Sequence, residues 1–310
     1  MNNENIREQF QKAYENDREK YIEEWLVTWA LQDDRVTDEH PLNLPSDFHT
    51  FHGVTDFTKW FNWYVNYMET IKLDWFPDDM ILPLIKTSRE HDSSLIKKFS
   101  LDFDISKYDE SVGRLNAQDY LFQNLYPVPE RMKINRILDF GAGYGRQANL
   151  WTQSRSDIVY VGIDGLELPY CLQHLYYQSL GLPLHDYVVE KEDFEIKDQS
   201  GIYHLPTWRR DLLPKSFFDL VTCTWVLPEI SEKLAKEMVD VFYDVLKPGS
   251  ALYIRDHDWP YRPVHQNDLN EYLEENGFVL EFRPHIIDKE DLHGTPRIWR
   301  KIDPRTRKGL

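Results

Sequence analysis

The first third of the chain carries aromatic and aliphatic residues at the spacing of amphipathic helices. Apolar side chains recur with a period close to 3.6 over residues 6–31 and again over residues 57–71, where the apolar face is mostly aromatic. Pro41 and Pro45 lie in the break between the two patterns. We therefore predict a helical region over residues 1–112, whose rings either pack against the remainder of the protein or wall a substrate site.

From residue 136 onward, short apolar runs alternate with helical patterns. The runs lie at residues 136–139, 159–164, 218–225 and 251–254, and a further one lies at 202–205, which we favour over an alternative at 187–190. Helical patterns occupy residues 116–125, 146–153, 168–180 and 231–246. Strands that alternate with helices indicate βαβ units, and hence a parallel sheet with right-handed crossovers.

The C-terminal part completes the predicted sheet. Lys247-Pro-Gly249 predicts a turn into the strand at 251, a helix follows at residues 269–275, and a pair of edge strands lies at 278–282 and 297–300. The predicted fold is α/β: a Rossmann-like, doubly wound, seven-stranded and mostly parallel sheet with an N-terminal helical cap. The predicted organisation is a cap over residues 1–112, an α/β domain over 113–302 and a basic tail over 303–310.

The charge balance excludes one class of partner. The chain has 36 Lys and Arg against 53 Asp and Glu, a net charge of −17, and such an acidic excess repels polyanions. We therefore expect no nucleic-acid partner. Part of the acidic excess lies in the first 40 residues, where we expect the acidic side chains to form the solvent-exposed face of a helix.

The remaining composition indicates a globular protein of a reducing compartment. Hydrophobic residues make up 41% of the chain and aromatic residues 14%, enough for a large core and a ligand pocket. Cys171 and Cys223 show neither a disulfide framework nor zinc-site spacing. With no signal-peptide pattern and no bilayer-length apolar run, we expect a cytoplasmic protein without a membrane partner, and leave a homo-oligomer open.

The strongest chemical signal is a glycine-rich turn after the first predicted strand. The segment reads Asp139-Phe-Gly141-Ala-Gly143-Tyr-Gly145, and a second strand then ends in Asp164. In a doubly wound sheet, glycines at this place let the backbone approach a ligand closely. A carboxylate two residues before the first glycine would repel a pyrophosphate but suits an ammonium and a sulfonium group. Because Asp164 can accept from ribose hydroxyls, S-adenosylmethionine fits better than a dinucleotide.

Four ordered landmarks resemble the motifs of class I S-adenosylmethionine-dependent methyltransferases over residues 113–302. They are the Asp139–Gly145 turn, Asp164, Phe218-Asp-Leu-Val221 at the fourth strand and Leu246-Lys-Pro-Gly249 before the fifth. A narrower resemblance, to bacterial sugar O-methyltransferases, involves the segments Ile202–Trp208, Trp225–Ile230, Arg255-Asp-His257 and Gly294–Arg300.

The family resemblance implies a set of cofactor contacts. Asp139 would face the methionyl end and Asp164 the ribose, and the other implied contacts are Gly141, Ala142, Gly143, Gly165 and Thr224. Arg114 is a candidate for the methionyl carboxylate, or else a solvated cation at a helix start. The Asp-containing adenine motif usual after the third strand is not found, so His204, Leu205 or Trp208 would stand in for it.

Methyl transfer to a hydroxyl requires a base. His257 follows the fifth predicted strand and is the first candidate, with Asp256 to orient it or to bind an acceptor hydroxyl. Glu229, after the fourth strand, is either a site residue or the acid of a helix first turn. Adjacent strand residues point to opposite faces, so Asp256, His257 and Asp258 do not predict a metal site.

The leading hypothesis is methyl transfer from S-adenosylmethionine to a hydroxyl of a sugar or a sugar-bearing small molecule. A second has an amino sugar or another cationic small molecule as acceptor, with Glu229 and Asp256 binding its ammonium groups. A third is a cofactor-binding partner subunit without turnover. A nicotinamide oxidoreductase is disfavoured by the position of Asp139.

Overall fold

The computed structural model describes residues 3–17, 75–99, 113–126, 133–153, 155–227, 230, 232–256, 266–284 and 294–302. The aromatic helical pattern at residues 57–71 and the basic tail at 303–310 lie outside these ranges. Of the pattern at residues 6–31, the described part is helix α1, Asn3–Asn16.

The described residues form one eight-stranded sheet in the order β3-β4-β2-β1-β5-β6-β8-β7. The strands are β1 Arg136–Phe140, β2 Val159–Asp164, β3 Leu184–Asp186, β4 Gly201–Pro206, β5 Phe218–Thr224, β6 Leu246–Asp256, β7 Phe278–Phe282 and β8 Thr295–Lys301. Strands β1 to β6 pair in parallel, and β8 runs antiparallel to both β6 and β7. The Rossmann-like, mostly parallel sheet predicted from the sequence is therefore confirmed.

Helices cover both faces of this sheet. After α1 come α2 Asp78–Phe99, α3 Arg114–Leu125, α4 Arg146–Thr152, α5 Glu167–Ser179, α6 Tyr187–Glu190, α7 Glu232–Val245 and α8 Gln266–Glu275, with 3-10 turns at Lys191–Asp193 and Thr207–Leu212. Side chains of successive residues in β2 point to opposite faces of the sheet and pack into two different hydrophobic cores. Val161 packs with residues of α1 and α7, whereas Tyr160 packs with residues of α2, α3 and α4.

The strand count differs from the prediction by one. Strand β3 has only three residues and pairs with β4 at the sheet edge, too short for a pattern to reveal it. The choice of residues 202–205 over 187–190 is confirmed: the first segment lies in β4, while the second is the short helix α6, whose first turn is capped by the Asp186 carboxylate accepting from Val188 N–H.

Two expectations about the C-terminal strands are wrong. The pair at residues 278–282 and 297–300 was expected at the edge, but β8 lies between β6 and β7, with Trp299 fully buried, and only β7 is an edge strand. Lys247-Pro-Gly249 is not a turn before the strand predicted at residues 251–254, because it lies within that strand, β6. The pairing of β6 with β5 begins at Leu246 opposite Phe218, is interrupted by a register shift, and continues from Ala251 opposite Leu220.

Helix α2 lies within the helical region predicted over residues 1–112, but no pattern was assigned to its own residues. Its ends carry a signal that could have revealed it, because acidic residues occupy the first turn and lysines the last, as the helix dipole favours. No helix in the described part of the chain combines the length and apolarity needed to cross a bilayer.

Candidate functional site

The carboxyl ends of the parallel strands place several predicted residues at one edge of the sheet. Asp139 lies near the end of β1, Asp164 ends β2, Thr224 ends β5 and Asp256 ends β6. The chain leaves β1 toward β2 on one side and returns to β5 on the other, which makes this the topological switch point where doubly wound sheets bind ligands.

The turn after β1 brings backbone to this edge. Gly141 and Gly143 have φ values of +70° and +54°, a region that glycine adopts without steric penalty. Among the described residues, apart from its chain neighbours, a Cβ at Gly143 would meet no atom closer than the Gly141 carbonyl oxygen at 3.9 Å. A Cβ at Gly145 would come within 2.9 Å of the Tyr177 ring, so this third glycine serves helix packing. Ala142 lies between the first two glycines, and its N–H donates to the Ile163 carbonyl at 3.4 Å.

Asp139 is a buried carboxylate without a cationic partner among the described residues. Its side chain accepts a hydrogen bond from the Tyr160 hydroxyl. Burial raises the pKa of Asp139 to about 7; the Tyr160 hydrogen bond opposes this shift, and the charges of Asp119 and Asp164 add to it. The ionised form of this group is therefore disfavoured near neutral pH, and a positive charge beside it would stabilise that form.

Asp164, at the end of β2, is hydrogen-bonded to the glycine turn that follows β1. Its carboxylate accepts from Gly143 N–H at 3.3 Å, Leu166 N–H at 3.1 Å and the Gln173 amide at 2.8 Å. Burial raises the pKa of Asp164 to about 6, although these hydrogen bonds favour the ionised form. In the described part of the chain, no Lys, Arg or His forms an ion pair with this carboxylate either.

Neighbouring buried acids have charged partners. Asp119 of α3 accepts from the Arg255 guanidinium at 2.6 and 2.9 Å and from the Tyr253 hydroxyl at 2.6 Å. Asp256 pairs with Arg297 of β8, a partner that the sequence analysis did not predict. The negative charges on the β6 side are thus matched within the protein, unlike those on β1 and β2.

Thr207 was missed by the sequence analysis. It follows β4 at the same edge, and its Oγ1 is buried and has no hydrogen-bond partner in the described part of the chain. A Cβ on Gly165 would lie 2.5 Å from this oxygen, so the glycine permits the ends of β2 and β4 to approach. A buried unpaired hydroxyl is energetically unfavourable, and its position after the third long strand could have drawn attention to it.

The residues proposed for an adenine have other contacts. The His204 ring is fully buried and hydrogen-bonded to Asp186 and Gln173. Trp208 packs edge-on against Phe10 and Tyr14 of α1, at centroid distances of 5.2 and 5.7 Å. Leu205 lies in the hydrophobic core. Thr207 is therefore the better-placed polar group at the end of β4.

The other predicted residues are spread more widely. The Arg114 guanidinium donates to Asp78 at 2.9 Å. Thr224 is half-buried, and Trp225 after it has a φ of +62°. Glu229 and His257 lie outside the described residues. Their catalytic roles therefore stay predictions.

One group in the described part of the chain has the residue types of a metal site. The potential ligand atoms of His174, Asp186 and His204 lie within 4.8 Å of one another, and all three residues are buried. Both histidine Nδ1 atoms lie at hydrogen-bonding distance from the same oxygen of Asp186, 2.6 and 2.9 Å, so the group is read as a hydrogen-bonded cluster.

No protein-family model matches this chain, and no curated protein does. Solved structures with a similar fold include CrArsM, an arsenic(III) S-adenosylmethionine methyltransferase from Chlamydomonas reinhardtii, at 18% identity and a TM-score of 0.38 over 56% of this chain and 65% of that one. NodS, an N-methyltransferase from Bradyrhizobium japonicum WM9 in complex with S-adenosyl-L-homocysteine, is 14% identical over 70% of this chain and 99% of that one, with a TM-score of 0.43.

A third is CalS10, an amino pentose methyltransferase from Micromonospora echinaspora with S-adenosylmethionine bound. It is 11% identical over 60% of this chain and 89% of that one, with a TM-score of 0.43. At these identities and TM-scores the likeness concerns the fold and does not extend to ligands or substrates.

Proposed function

We propose that this chain is a methyltransferase that moves a methyl group from S-adenosylmethionine to a hydroxyl of a sugar or a sugar-bearing small molecule. The observation that carries the proposal is the pair of buried carboxylates, Asp139 and Asp164, which lie at the carboxyl ends of the neighbouring strands β1 and β2 and have no cationic partner among the described residues. Carboxyl groups with strongly raised pKa values at the switch point of a doubly wound sheet are typical of functional sites.

The residues at this edge fit the chemistry of the cofactor. An ammonium and a sulfonium group would supply the positive charge that the ionised form of Asp139 requires. Asp164 has oxygen lone pairs beyond those used by its protein donors and would accept from ribose hydroxyls. The buried Thr207 hydroxyl would supply a polar contact at the adjoining strand end.

When bound, the cofactor supplies a methyl group on a good leaving group, so the protein mainly has to orient the acceptor, exclude water and remove a proton. We assign proton removal from the acceptor hydroxyl to His257, which follows β6, and acceptor binding to Glu229, which follows β5. Asp256 is paired with Arg297, so we assign it to fixing the end of β6 beside His257 rather than to a proton-transfer step.

Calorimetry with S-adenosylhomocysteine tests the cofactor. We expect affinity in the micromolar range for the wild type and strongly reduced affinity for two variants. Asp139→Asn removes the negative charge that faces the ligand ammonium group, and Asp164→Asn replaces one acceptor oxygen with an NH₂ donor. Asp198→Asn is the matched control, since Asp198 lies on the surface in an ion pair with Arg136. Heat with NAD but none with S-adenosylhomocysteine would overturn the proposal.

A screen with methyl-labelled cofactor tests the acceptor. Label transferred to neutral sugars and their glycosides supports the hydroxyl reading, and His257→Ala should lower that turnover by about 100-fold or more with cofactor affinity kept. Label transferred to amino sugars alone would replace the hydroxyl with an amine. Cofactor binding without turnover on any acceptor would favour the partner-subunit reading.

A further inference from the structure

A buried hydrogen-bond chain runs from Asp164 into the interior between α5 and β4. The Gln173 side chain, which is fully buried, donates from Nε2 to the Asp164 carboxylate at 2.8 Å and to the Gly143 carbonyl at 2.9 Å. Both amide hydrogens are thus engaged at the proposed cofactor site, and the Gln173 oxygen faces the other way. One side chain therefore ties the strand-end carboxylate to the glycine turn.

The Asp164 carboxylate and the Gly143 carbonyl fix the direction of that amide. Both groups accept, so the Gln173 NH₂ group must face them and its oxygen must face His204. His204 Nε2 lies 3.0 Å from Gln173 Oε1, and because an amide oxygen only accepts, the hydrogen of this contact must sit on Nε2. His204 therefore supplies the donor that holds the amide oxygen in this direction.

Asp186 in turn fixes His204. His204 Nδ1 lies 2.9 Å from Asp186 Oδ2, which also contacts His174 Nδ1 at 2.6 Å. With acceptors at both ring nitrogens, His204 donates from both and is protonated in this arrangement; burial lowers the pKa of His204, and the Asp186 charge and hydrogen bond oppose that shift. The other oxygen of Asp186 accepts from the Tyr170 hydroxyl at 2.7 Å, and the Tyr170 ring stacks on the His204 ring at 3.7 Å between centroids. Burial disfavours the Asp186 carboxylate, but the two histidines outweigh burial and hold the pKa of Asp186 below its usual value.

We propose that Gln173, His204 and Asp186 are positioning residues, which hold Asp164 and the glycine turn in the one arrangement that binds the cofactor. The inference rests on the proposed function, since it names the residues that prepare that same site. None of the three is assigned to touch the reacting atoms. The chain of contacts acts through the orientation of a single amide, which a purely space-filling role would not require.

The two possible amide replacements of His204 separate orientation from packing. In His204→Gln the side-chain nitrogen reaches the place of Nε2 and can still donate to Gln173. In His204→Asn it reaches only the place of Nδ1, which keeps the Asp186 contact and leaves Gln173 Oε1 without a donor. We therefore expect His204→Gln to keep the affinity for S-adenosylhomocysteine within about threefold and His204→Asn to weaken it about tenfold or more.

Variants at Gln173 give the larger effect. Gln173→Met keeps the volume and removes every polar contact, and Gln173→Glu places a second carboxylate against Asp164. Both should weaken the affinity by about tenfold or more. The matched control is Gln123→Met, because Gln123 is also fully buried and also bonded at both ends, to Thr222 at 3.0 Å and Trp151 at 3.0 Å. This control should lower the melting temperature while keeping the affinity.

The outcomes are distinct. If the wild type binds no S-adenosylhomocysteine, the proposed function fails and the inference fails with it. If the wild type binds but Gln173→Met binds equally well, or if affinity falls in step with melting temperature across all variants including Gln123→Met, only the inference fails. Stoichiometric metal in the purified wild type, lost in His174→Ala, would also overturn it, because the cluster would then be a metal site.

Discussion

On the β6 side of the sheet, the buried carboxylates of Asp119 and Asp256 are each held by an arginine, whereas on the β1 and β2 side Asp139 and Asp164 are held only by uncharged donors. Asp139, Asp164 and Asp256 lie at the carboxyl ends of strands, Asp119 lies in α3, and all four are buried. The difference therefore does not follow from exposure. A buried carboxylate paired with an arginine has its charge matched within the protein, and one without a cation is suited to a positively charged ligand group.

The largest effect is expected on the paired side. Asp119→Ala removes the carboxylate that receives two hydrogen bonds from Arg255 and leaves a buried guanidinium without this partner. Breaking a buried pair in this way should lower the free energy of unfolding by about 3–5 kcal/mol. Urea unfolding followed by circular dichroism measures the change. An unfolding midpoint like that of the wild type would show that this pair contributes little.

On the unpaired side the sign should reverse. Asp139→Asn removes a charge that the folded state disfavours, and the new amide oxygen can still accept from the Tyr160 hydroxyl. At pH 8 without ligand, the variant should be more stable than the wild type by about 2–4 kcal/mol, because the pKa of Asp139 is raised from 3.8 to about 7 on folding.

The pH dependence of that difference follows from the same linkage. The folded wild type holds a proton on Asp139 more tightly than the unfolded chain, so this group favours folding most at low pH. Its contribution is lost as the pH rises from about 4 to about 7. The advantage of Asp139→Asn should therefore shrink from pH 8 to pH 5. A destabilised Asp139→Asn would contradict the comparison, and Asp256→Asn should be destabilised at both pH values.

The smallest effect concerns the proton balance of binding. The ammonium group of the ligand favours the ionised form of Asp139, so binding near pH 7 should release about half a proton from Asp139, and less from Asp164, whose pKa is about 6. Calorimetry with S-adenosylhomocysteine in two buffers of different ionisation enthalpy measures this release. From pH 8 to pH 6 the affinity should fall about tenfold, equivalent to about 1.4 kcal/mol. Proton uptake instead of release would contradict the assignment of Asp139.

The sequence contained most of the sheet and the centre of the site. Strand positions follow from short apolar runs, and Asp139, Asp164 and the glycines follow from a local motif whose members are close along the chain. The pairing of Asp119 with Arg255 and of Asp256 with Arg297 was not foreseen, because the partners are 136 and 41 residues apart and no local pattern links them. The same holds for Gln173 and His204, which meet only once α5 packs on β4.

The insertion of β8 between β6 and β7 has a consequence for synthesis on the ribosome. The eleven-residue strand β6 pairs with β5 along one edge and with β8 along the other. Strand β8, Thr295–Lys301, is the last of the described strands to be translated. Until then the nascent chain presents an open strand edge of the kind that recruits other chains. The sheet is therefore completed only after Thr295–Lys301 have been synthesised, and until then the free edge of β6 is open to pairing with another chain.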